Sequence, residues 1–379
     1  MIKSNLDTYS SPNVKIYGAG SIGNHLSHAA RSLGWGVTVC DVSQEALDRM
    51  RSDIYPSRYG RWDDTIRLYR NQDAPQGGFD LILVGTPPEH HIPIAQEAIE
   101  ESPRGIMIEK PLCPPTLEGA DALARAWEAS DVSIYVGYEY ALGKAARKVE
   151  QYIEENAIGT VETIDVEYRE HWEGVFGAHP WLNGPQDTYL GYCDRGGGAS
   201  GEHSHAVNLW QHFAHAVGAG RVQRVGASIK YVEEHGARYD KLCCLNLVTE
   251  RGLHGRVVQD VVTFPAHKRV FLQGRDGRIE WSWGVEPDVE TVKLIRKGED
   301  EQTVRIEKSR PDDFIEELKA IESHLSGKVD SIGTTLDRGL DSMMVIAAAH
   351  RAAQAQRDMI IDFARGYSPD GIRPSLSED

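Results

Sequence analysis

The first 137 residues alternate short apolar runs with helix-like segments, and this alternation limits the fold more than any other feature of the chain. The apolar runs begin at Val14, Gly36, Phe79, Gly105 and Val132. Helix-like segments separate them, over about 22–33, 43–52, 90–101 and 116–130. Strands that alternate with helices at this spacing form a parallel sheet with helices on both faces. We therefore predict an α/β fold with a doubly wound parallel sheet over residues 13–137.

The pattern changes after about residue 138. Seven strand-like runs follow a helix at about 143–156, and a second helix interrupts them at about 206–217. Two more helices occupy about 312–325 and 336–357. Short strands joined by turns are typical of an antiparallel or mixed sheet.

These patterns predict a second domain of α+β type at residues 138–335, with a large open, mostly antiparallel sheet that serves substrate binding and oligomerisation. The helix within 336–365 is expected to pack near the domain junction. Residues 1–12 and 366–379 are expected to be flexible tails, because both segments are polar and contain proline.

The formal net charge of −16 makes a nucleic-acid or anionic-membrane partner unfavourable, because phosphates would be repelled. The five cysteines are an odd number without a CxxC spacing, which favours a reducing compartment and argues against a disulfide framework or a thiolate metal site. No apolar run is as long as a membrane span, and the first dozen residues lack a signal-peptide core. We expect a cytoplasmic protein.

The motif GAGSIG follows the first apolar run and opens the first helix. Gly18 permits a tight turn, Gly20 lets the backbone approach a pyrophosphate, and Gly23 lets the helix pack closely on the strand. Ser21 and Ile22 then lie at the helix N-terminus, where free amides and the helix dipole favour negative charge. These residues predict a dinucleotide site.

Asp41 ends the second strand, about 20 residues beyond the glycines, where an acidic residue accepts the ribose hydroxyls of NAD. Its charge would repel the 2′-phosphate of NADP, and the next residues, Val42 and Ser43, supply no arginine to hold that phosphate. The cofactor is therefore predicted to be NAD, with NADP the weaker alternative.

Two further motifs, GTPPEHH and IEKP, each close an apolar strand and so lie at the carboxyl edge of the sheet, where ligands of doubly wound folds bind. A positioned ammonium at this edge can polarise a hydroxyl or carbonyl oxygen, which makes Lys110 a candidate catalytic group. The residues of these motifs that we expect at the cofactor are Thr86, Pro87, His91, Glu109 and Lys110.

Together, GAGSIGNH, the TPxxxH of Thr86 to His91 and the EKP of Glu109 to Pro111 resemble the Gfo/Idh/MocA family, which includes glucose–fructose oxidoreductase and inositol dehydrogenase. The resemblance extends from about Val14 to Phe363. It implies an NAD-dependent oxidoreductase with a Rossmann domain and a sheet-bearing second domain, acting on a sugar-like substrate. Relatives commonly form homodimers or homotetramers through that sheet.

The segment from Arg195 to Trp210 resembles the glycine-rich segment that in this family precedes an acidic residue and a histidine. The resemblance implies that His205 transfers the proton and that Lys110 is its partner. In many relatives the acidic residue lies four positions before the histidine, and an aspartate lies three after it. Here Glu202 lies three before His205 and Asn208 replaces the later aspartate.

Several other polar and aromatic residues are predicted around the substrate. The HPW of His179 to Trp181 precedes the triple glycine, as in one branch of the family, and aromatic faces pack on sugar rings. The predicted substrate contacts are Glu202, Asn208, His179, Trp181, Tyr140 and Arg195.

Relatives often carry Asn or His where Glu139 stands, and this position is expected near the nicotinamide. Trp281 and Trp283 alternate on a strand and are expected in the core or at an oligomer contact. No metal is expected, because the His203-x-His205 spacing lacks the i, i+4 pair of a helical zinc site and hydride transfer to nicotinamide needs none.

Three functions remain open from the sequence. The first is a dehydrogenase or reductase of a sugar, amino sugar, nucleotide sugar or cyclitol. The second is a lyase or glycoside-cleaving enzyme that oxidises its substrate transiently with bound NAD. The third is a non-catalytic dinucleotide-sensing regulator, which the presence of both Lys110 and His205 disfavours.

Overall fold

The computed structural model describes residues 11–177, 181–284 and 286–375. The first domain contains a six-stranded parallel sheet of order β3-β2-β1-β4-β5-β6. Its strands are β1 (Asn13–Tyr17), β2 (Gly36–Asp41), β3 (Arg67–Arg70), β4 (Leu81–Val84), β5 (Gly105–Ile108) and β6 (Ser133–Val136). The strand order reverses between β1 and β4, so the carboxyl ends of these two strands frame a crevice.

Five helices connect these strands: α1 (Ser21–Ser32), α2 (Gln44–Arg49), α3 (Tyr55–Tyr59), α4 (His91–Glu100) and α5 (Ala120–Glu128). A π-helical turn over Met50–Ile54 joins α2 to α3, so the second helical segment is longer than the sequence predicted. The short edge strand β3 was not predicted, because none of its residues is buried and its sequence, RLYR, has no apolar run. The predicted doubly wound parallel sheet is confirmed.

The second domain is built on a ten-stranded sheet of order β14-β13-β12-β11-β7-β10-β9-β8-β15-β16. Its central strands are β7 (Val161–Arg169), β8 (Val222–Glu234), β9 (Ala237–Thr249), β10 (His254–Asp260) and β11 (His267–Gly274). The outer strands are β12 (Gly277–Trp283), β13 (Val289–Arg296), β14 (Gln302–Glu307), β15 (Met359–Ile361) and β16 (Ile372–Pro374). The predicted mostly antiparallel sheet is confirmed: β7 and β10 pair in parallel, and the other described pairs are antiparallel.

The helices of this domain are α6 (Lys144–Glu154), α7 (Trp172–Gly177), α8 (Gly198–Glu202), α9 (His205–Ala216), α10 (Arg310–Leu325) and α11 (Leu336–Ala355). Helices α6, α9 and α11 cover one face of the sheet, and α10 packs on α1 of the first domain. Helix α11 also reaches the first domain, because Gly339 lies so close to Val136 that an added Cβ would be 2.3 Å from its side chain.

The opposite face of the large sheet carries ion pairs, whereas the large aromatic side chains of β12 lie under the helices. Trp281 and Trp283 are 1% and 5% exposed and belong to the core under the helices. Ion pairs Asp165–Arg256 and Glu167–Arg269 lie on the open face. Alternation along β12 turns Ile279, Trp281 and Trp283 under the helices and leaves Arg278 and Glu280 on the open face.

The end of the chain extends the sheet. Strands β15 and β16 pair with each other, and β15 pairs with β8. The Arg351 guanidinium donates to the carbonyl oxygens of Pro369 and Ile372, at 2.6 and 3.1 Å. The prediction of a loose tail from residue 366 is wrong for residues 366–375. Strand pairing and the Arg351 guanidinium give hydrogen-bond partners to the backbone groups of this segment. The predicted N-terminal tail lies outside the described residues as far as residue 10. No helix in the described ranges is long and apolar enough to cross a membrane.

Candidate active site

The glycine turn after β1 has the geometry that a dinucleotide needs. Gly18 has a φ of +103°, and a Cβ there would lie 2.7 Å from the carbonyl oxygen of Gly85. A Cβ at Gly23 would lie 1.9 Å from the carbonyl oxygen of Gly18, so helix and strand are in close contact. A Cβ at Gly20 would meet nothing within 4 Å. This open side, at the N-terminus of α1, leaves room for a pyrophosphate.

An arginine that sequence analysis missed lies beside this turn. The Arg58 guanidinium, from α3, donates to Ser21 Oγ at 2.9 Å and to the Ser21 carbonyl oxygen at 3.0 Å. The predicted substrate residue Trp181 lies against Arg58, with its ring 6.0 Å from the guanidinium carbon. Arg58 thus adds positive charge at the pyrophosphate position. No local motif marks it, since it is 37 residues from Ser21.

Asp41 is tied to the backbone around the turn. Its Oδ2 accepts from the Ala19 amide and its Oδ1 from the Ser43 amide, both at 2.8 Å. The sequence showed no arginine next to Asp41, but Arg70 of β3 is its cross-strand neighbour. Arg70 Nε is buried and has no hydrogen-bond partner among the described residues. Arg70 is therefore a cation near the expected position of the adenosine ribose. The prediction of NAD over NADP rested on Asp41, Val42 and Ser43 and did not take Arg70 into account.

His91 holds two loops together rather than facing the crevice. Its side chain is fully buried, and its ring nitrogens lie 2.7 Å from the carbonyl oxygen of Thr86 and 3.0 Å from that of Pro111. Burial lowers its pKa to about 4, so the ring is neutral at pH 7. The prediction that His91 contacts the cofactor is therefore corrected: it positions the Thr86 loop and the EKP loop. Pro87, beside Thr86, is exposed.

Lys110 pairs with Glu202 across the domain junction. Lys110 Nζ donates to Glu202 Oε2 at 3.0 Å and to the Glu202 carbonyl oxygen at 2.9 Å. Burial by itself would lower the pKa of Lys110, but Glu202, together with Glu139 and Glu109, outweighs burial and the pKa is raised. The ammonium is therefore charged at neutral pH. Glu202 lies three rather than four positions before His205, and at that position its carboxylate accepts a hydrogen bond from Lys110.

His205 is the first residue of α9 and is 5% exposed. Its ring lies 5.6, 5.0 and 6.0 Å from the rings of Tyr138, Tyr140 and Tyr168. Burial, followed by the positive charge of Lys110, lowers the pKa of His205 well below its usual value. The imidazole is neutral at pH 7 and can accept a proton.

Buried carboxyl groups surround the base of the site. Glu139 Oε2 lies 3.6 Å from His205 Nε2. Burial raises the pKa of Glu139 to about 7, and burial together with the charge of Glu139 raises that of Glu109 to about 8. Glu109 Oε2 accepts from the Lys110 amide at 3.2 Å. Both residues were predicted to lie at the cofactor. In the structure Glu139 lies next to His205, and Glu109 accepts from the amide of Lys110.

Two predicted substrate residues have other partners. Asn208 is 2% exposed and its Nδ2 donates to Ser342 Oγ of α11 at 3.5 Å, so it lies in a helix contact and its predicted substrate role is corrected. Arg195 Nε donates to Glu89 Oε1 of the first domain at 2.8 Å. The ring of Tyr140 lies 5.0 Å from that of His205, and its contact with the substrate stays a prediction. His179 lies outside the described residues.

The model of an oxidoreductase family with an NAD-binding Rossmann fold, GFO_IDH_MocA, matches residues 13–138. None of the curated proteins compared matches the sequence.

Solved structures match over both domains. An oxidoreductase from Agrobacterium radiobacter, in complex with NAD+, L-tartaric acid and magnesium, has a TM-score of 0.71 and 19% identity over 93% of this chain and 98% of that chain. The WlbA dehydrogenase from Bordetella pertussis, in complex with NADH and UDP-GlcNAcA, has a TM-score of 0.69 and 18% identity over 93% and 99%. A levoglucosan dehydrogenase in complex with NADH has a TM-score of 0.74 and 17% identity over 92% and 98%.

At these identities the structural matches show the shared two-domain fold, and the family model assigns the first domain. The resemblance inferred from GAGSIG, TPxxxH and EKP is confirmed. The N-terminal domain of this chain, residues 13–138, belongs to the Gfo/Idh/MocA family of oxidoreductases and has its NAD-binding Rossmann fold.

Proposed function

We propose that the protein is an NAD-dependent oxidoreductase that moves a hydride between nicotinamide and a carbinol or keto carbon of a sugar-like substrate. The observation that carries this proposal is the meeting of Lys110 and Glu202 next to His205 at the carboxyl edge of the parallel sheet. A cleft between two domains is a usual place for a small-molecule site.

Lys110 and His205 have separate roles in this proposal. The Lys110 ammonium hydrogen-bonds the alcohol oxygen and stabilises its developing negative charge, and the neutral His205 takes the hydroxyl proton. Glu202 holds Lys110 in place through the 3.0 Å contact. NAD, when bound, supplies the acceptor for the hydride that leaves the same carbon.

Similarity to solved structures supports the substrate class. The WlbA dehydrogenase was solved with a nucleotide sugar, and another neighbour is a levoglucosan dehydrogenase. We therefore propose a sugar, amino sugar, nucleotide sugar or cyclitol as substrate. A lyase or glycoside-cleaving enzyme with transient oxidation is the second candidate, because the same side chains would perform its first hydride step.

The test is NADH absorbance with a panel of free, amino and nucleotide-linked sugars and cyclitols. With the substrate found, Lys110→Ala and His205→Asn should each lower kcat about 10²–10⁴-fold, the usual contribution of positioned acid–base groups. His254→Asn, at an exposed histidine of β10, is the matched control. Near-normal turnover by a folded His205→Asn variant would refute the proton-transfer role. Substrate consumption without net NADH would favour the second candidate.

A further inference from the structure

Glu139, from the segment that joins the two domains, lies against the imidazole of His205. Glu139 opens the 3-10 turn Glu139–Leu142 that follows β6, whereas His205 opens α9. Their nearest atoms, Glu139 Oε2 and His205 Nε2, are 3.6 Å apart, and both side chains are 6% exposed. Two groups that can each hold a proton are thus enclosed together.

The carboxylate beside His205 is that of Glu139 and not that of Glu202. Glu202 was predicted to contact the substrate, but its carboxylate and its carbonyl oxygen both accept hydrogen bonds from Lys110. The chain has an unusual residue at each of two places, a glutamate three rather than four positions before His205 and a glutamate at 139. Both glutamates have a partner in the site: Glu202 accepts a hydrogen bond from Lys110, and Glu139 lies next to His205.

The orientation of the ring is fixed by its neighbours. Tyr138 and Tyr140 contact it edge-on, and Tyr168 lies at 23° to its plane. His205 Nδ1 is buried and has no hydrogen-bond partner among the described residues. Nε2 is the nitrogen that faces a carboxylate, and a proton accepted there lies next to Glu139 Oε2.

The charges around Glu139 come from three elements. They are Lys110 and Glu109 of the EKP loop, His205 of α9, and Arg310, Asp313 and Glu317 of α10. Burial raises the pKa of Glu139 to about 7, against the charge of Arg310, whereas burial and Lys110 lower that of His205 well below its usual value. Near neutral pH, Glu139 therefore holds a proton better than the imidazole does.

We propose that His205 and Glu139 act as one proton-accepting pair for the substrate hydroxyl, in which Glu139 holds the proton that is released. The proposal rests on the function proposed above. The hydroxyl O–H bond breaks and its proton passes to the pair. The carbon loses hydrogen with both bonding electrons to the nicotinamide, so the alcohol is oxidised and NAD is reduced. The pair then loses its proton to solvent.

The first experiment compares pH profiles of kcat for the wild type, Glu139→Gln and Glu139→Asp over about pH 5 to 10, which spans the ordinary imidazole pKa of about 6.5 and the raised pKa of Glu139. The wild-type kcat should rise with pH through an ionisation near 7, the pKa of Glu139. Glu139→Gln should lose this ionisation and about 10–100-fold in kcat at neutral pH, with a smaller change in KM. Glu139→Asp should keep the ionisation.

The control is Glu155→Gln at an exposed carboxyl after α6, which should keep the wild-type profile. The second experiment follows the imidazole resonances of His205 by NMR without cofactor or substrate, assigned with His205→Asn. In the wild type they should shift with a midpoint near 7 as Glu139 ionises, and in Glu139→Gln this step should be absent.

The outcomes separate this inference from the proposed function. If His205→Asn loses turnover while Glu139→Gln keeps the wild-type kcat, profile and NMR step, the pair is refuted and the function stands. If no sugar in the panel reduces NAD, the function fails, and the NMR step alone decides whether the pair exists. If Glu139→Gln does not fold, Glu139→Asp must still show the NMR step, and its loss there would overturn the inference.

Discussion

Single side chains in the cleft owe their protonation states to partners that are distant in the sequence. Lys110 and Glu202 are 92 residues apart, and this contact raises the pKa of Lys110. His205 is buried against Glu139 and close to Lys110, and it is neutral for that reason. A charged donor and a neutral acceptor are thus held together, as oxidation of an alcohol requires.

We expect Asp41 and Arg70 to decide the preference between NAD and NADP, because they are neighbours across β2 and β3. The wild type should bind NADH more tightly than NADPH, because the Asp41 carboxylate repels a 2′-phosphate. Asp41→Ala should narrow this difference by roughly tenfold or more, or about 1.4 kcal/mol. Asp41→Asn should do the same while keeping an acceptor for the Ala19 amide. Calorimetric titration measures both cofactors.

Arg70→Ala is the control for the opposing cation. It should weaken NADPH binding more than NADH binding, because Arg70 is the cation next to Asp41 in the sheet. Equal or tighter binding of NADPH by the wild type would contradict the assignment of NAD as the preferred cofactor.

At the scale of elements, the triple glycine of residues 196–198 leads into the start of α8 and thereby determines where Glu202 and His205 lie. Gly198 has a φ of +80°, and a Cβ there would lie 1.9 Å from Asp240 Oδ1 of β9. Asp240 Oδ2 accepts from the Ser200 amide at 2.7 Å and so fixes this turn. The glycine-rich segment therefore lets the start of α8 lie directly against Asp240 of the sheet, where a side chain at position 198 would not fit.

Helix α10 carries a carboxyl group that makes stability depend on pH. Glu317 is 1% exposed, and its pKa is raised well above the usual range by burial and by Glu139, Glu109 and Asp313. The folded protein holds a proton here that the unfolded chain releases near pH 4. The stabilisation is complete below the unfolded pKa and is lost as the pH rises through the folded pKa.

Glu317→Gln should therefore raise the free energy of unfolding relative to the wild type as pH increases from about 5, with a difference that grows by up to ~1.4 kcal/mol per pH unit below the folded pKa. Urea unfolding at several pH values measures it. Glu316→Gln on the same helix is the control, because Lys319 and Arg147 outweigh burial and lower the pKa of Glu316. A gain at high pH in Glu316→Gln, or none in Glu317→Gln, would contradict the argument.

At the scale of the molecule, the two domains are joined at the cleft and by helices. The pairs Lys110–Glu202 and Arg195–Glu89 cross the cleft, and Gly339 of α11 packs on Val136 of β6. Val262 and Phe264, which follow β10, are 44% and 82% exposed. We propose that the large sheet, together with these two exposed side chains beside it, joins copies of the chain into a homodimer or homotetramer.

Light scattering should give the mass of a dimer or a tetramer of the 42.1 kDa chain. Phe264→Ser should shift the equilibrium toward the monomer about 10–100-fold, since burial of a phenylalanine side chain contributes about 1.5–3 kcal/mol. Val42→Ser, at a residue that is 70% exposed on the first domain, should leave the mass unchanged. A monomer mass for the wild type at micromolar concentration would rule out this assembly.

The sequence by itself determined the parallel sheet, the glycine turn, the EKP loop and the large antiparallel sheet. These are local features: apolar periodicity sets each strand or helix, and Gly18 and Gly23 are required wherever a helix packs so closely on a strand. The resemblance to the Gfo/Idh/MocA family rested on such motifs and could be recognised without coordinates.

Only the tertiary structure decided which side chains meet. It brought Arg58 to Ser21, Arg70 to Asp41 and Glu139 to His205, and it turned Asn208 away toward α11. These contacts join residues on different elements and have no local pattern. The pKa of a buried group follows from such contacts and from desolvation, so the chemical state of the cleft is a property of the packed domains.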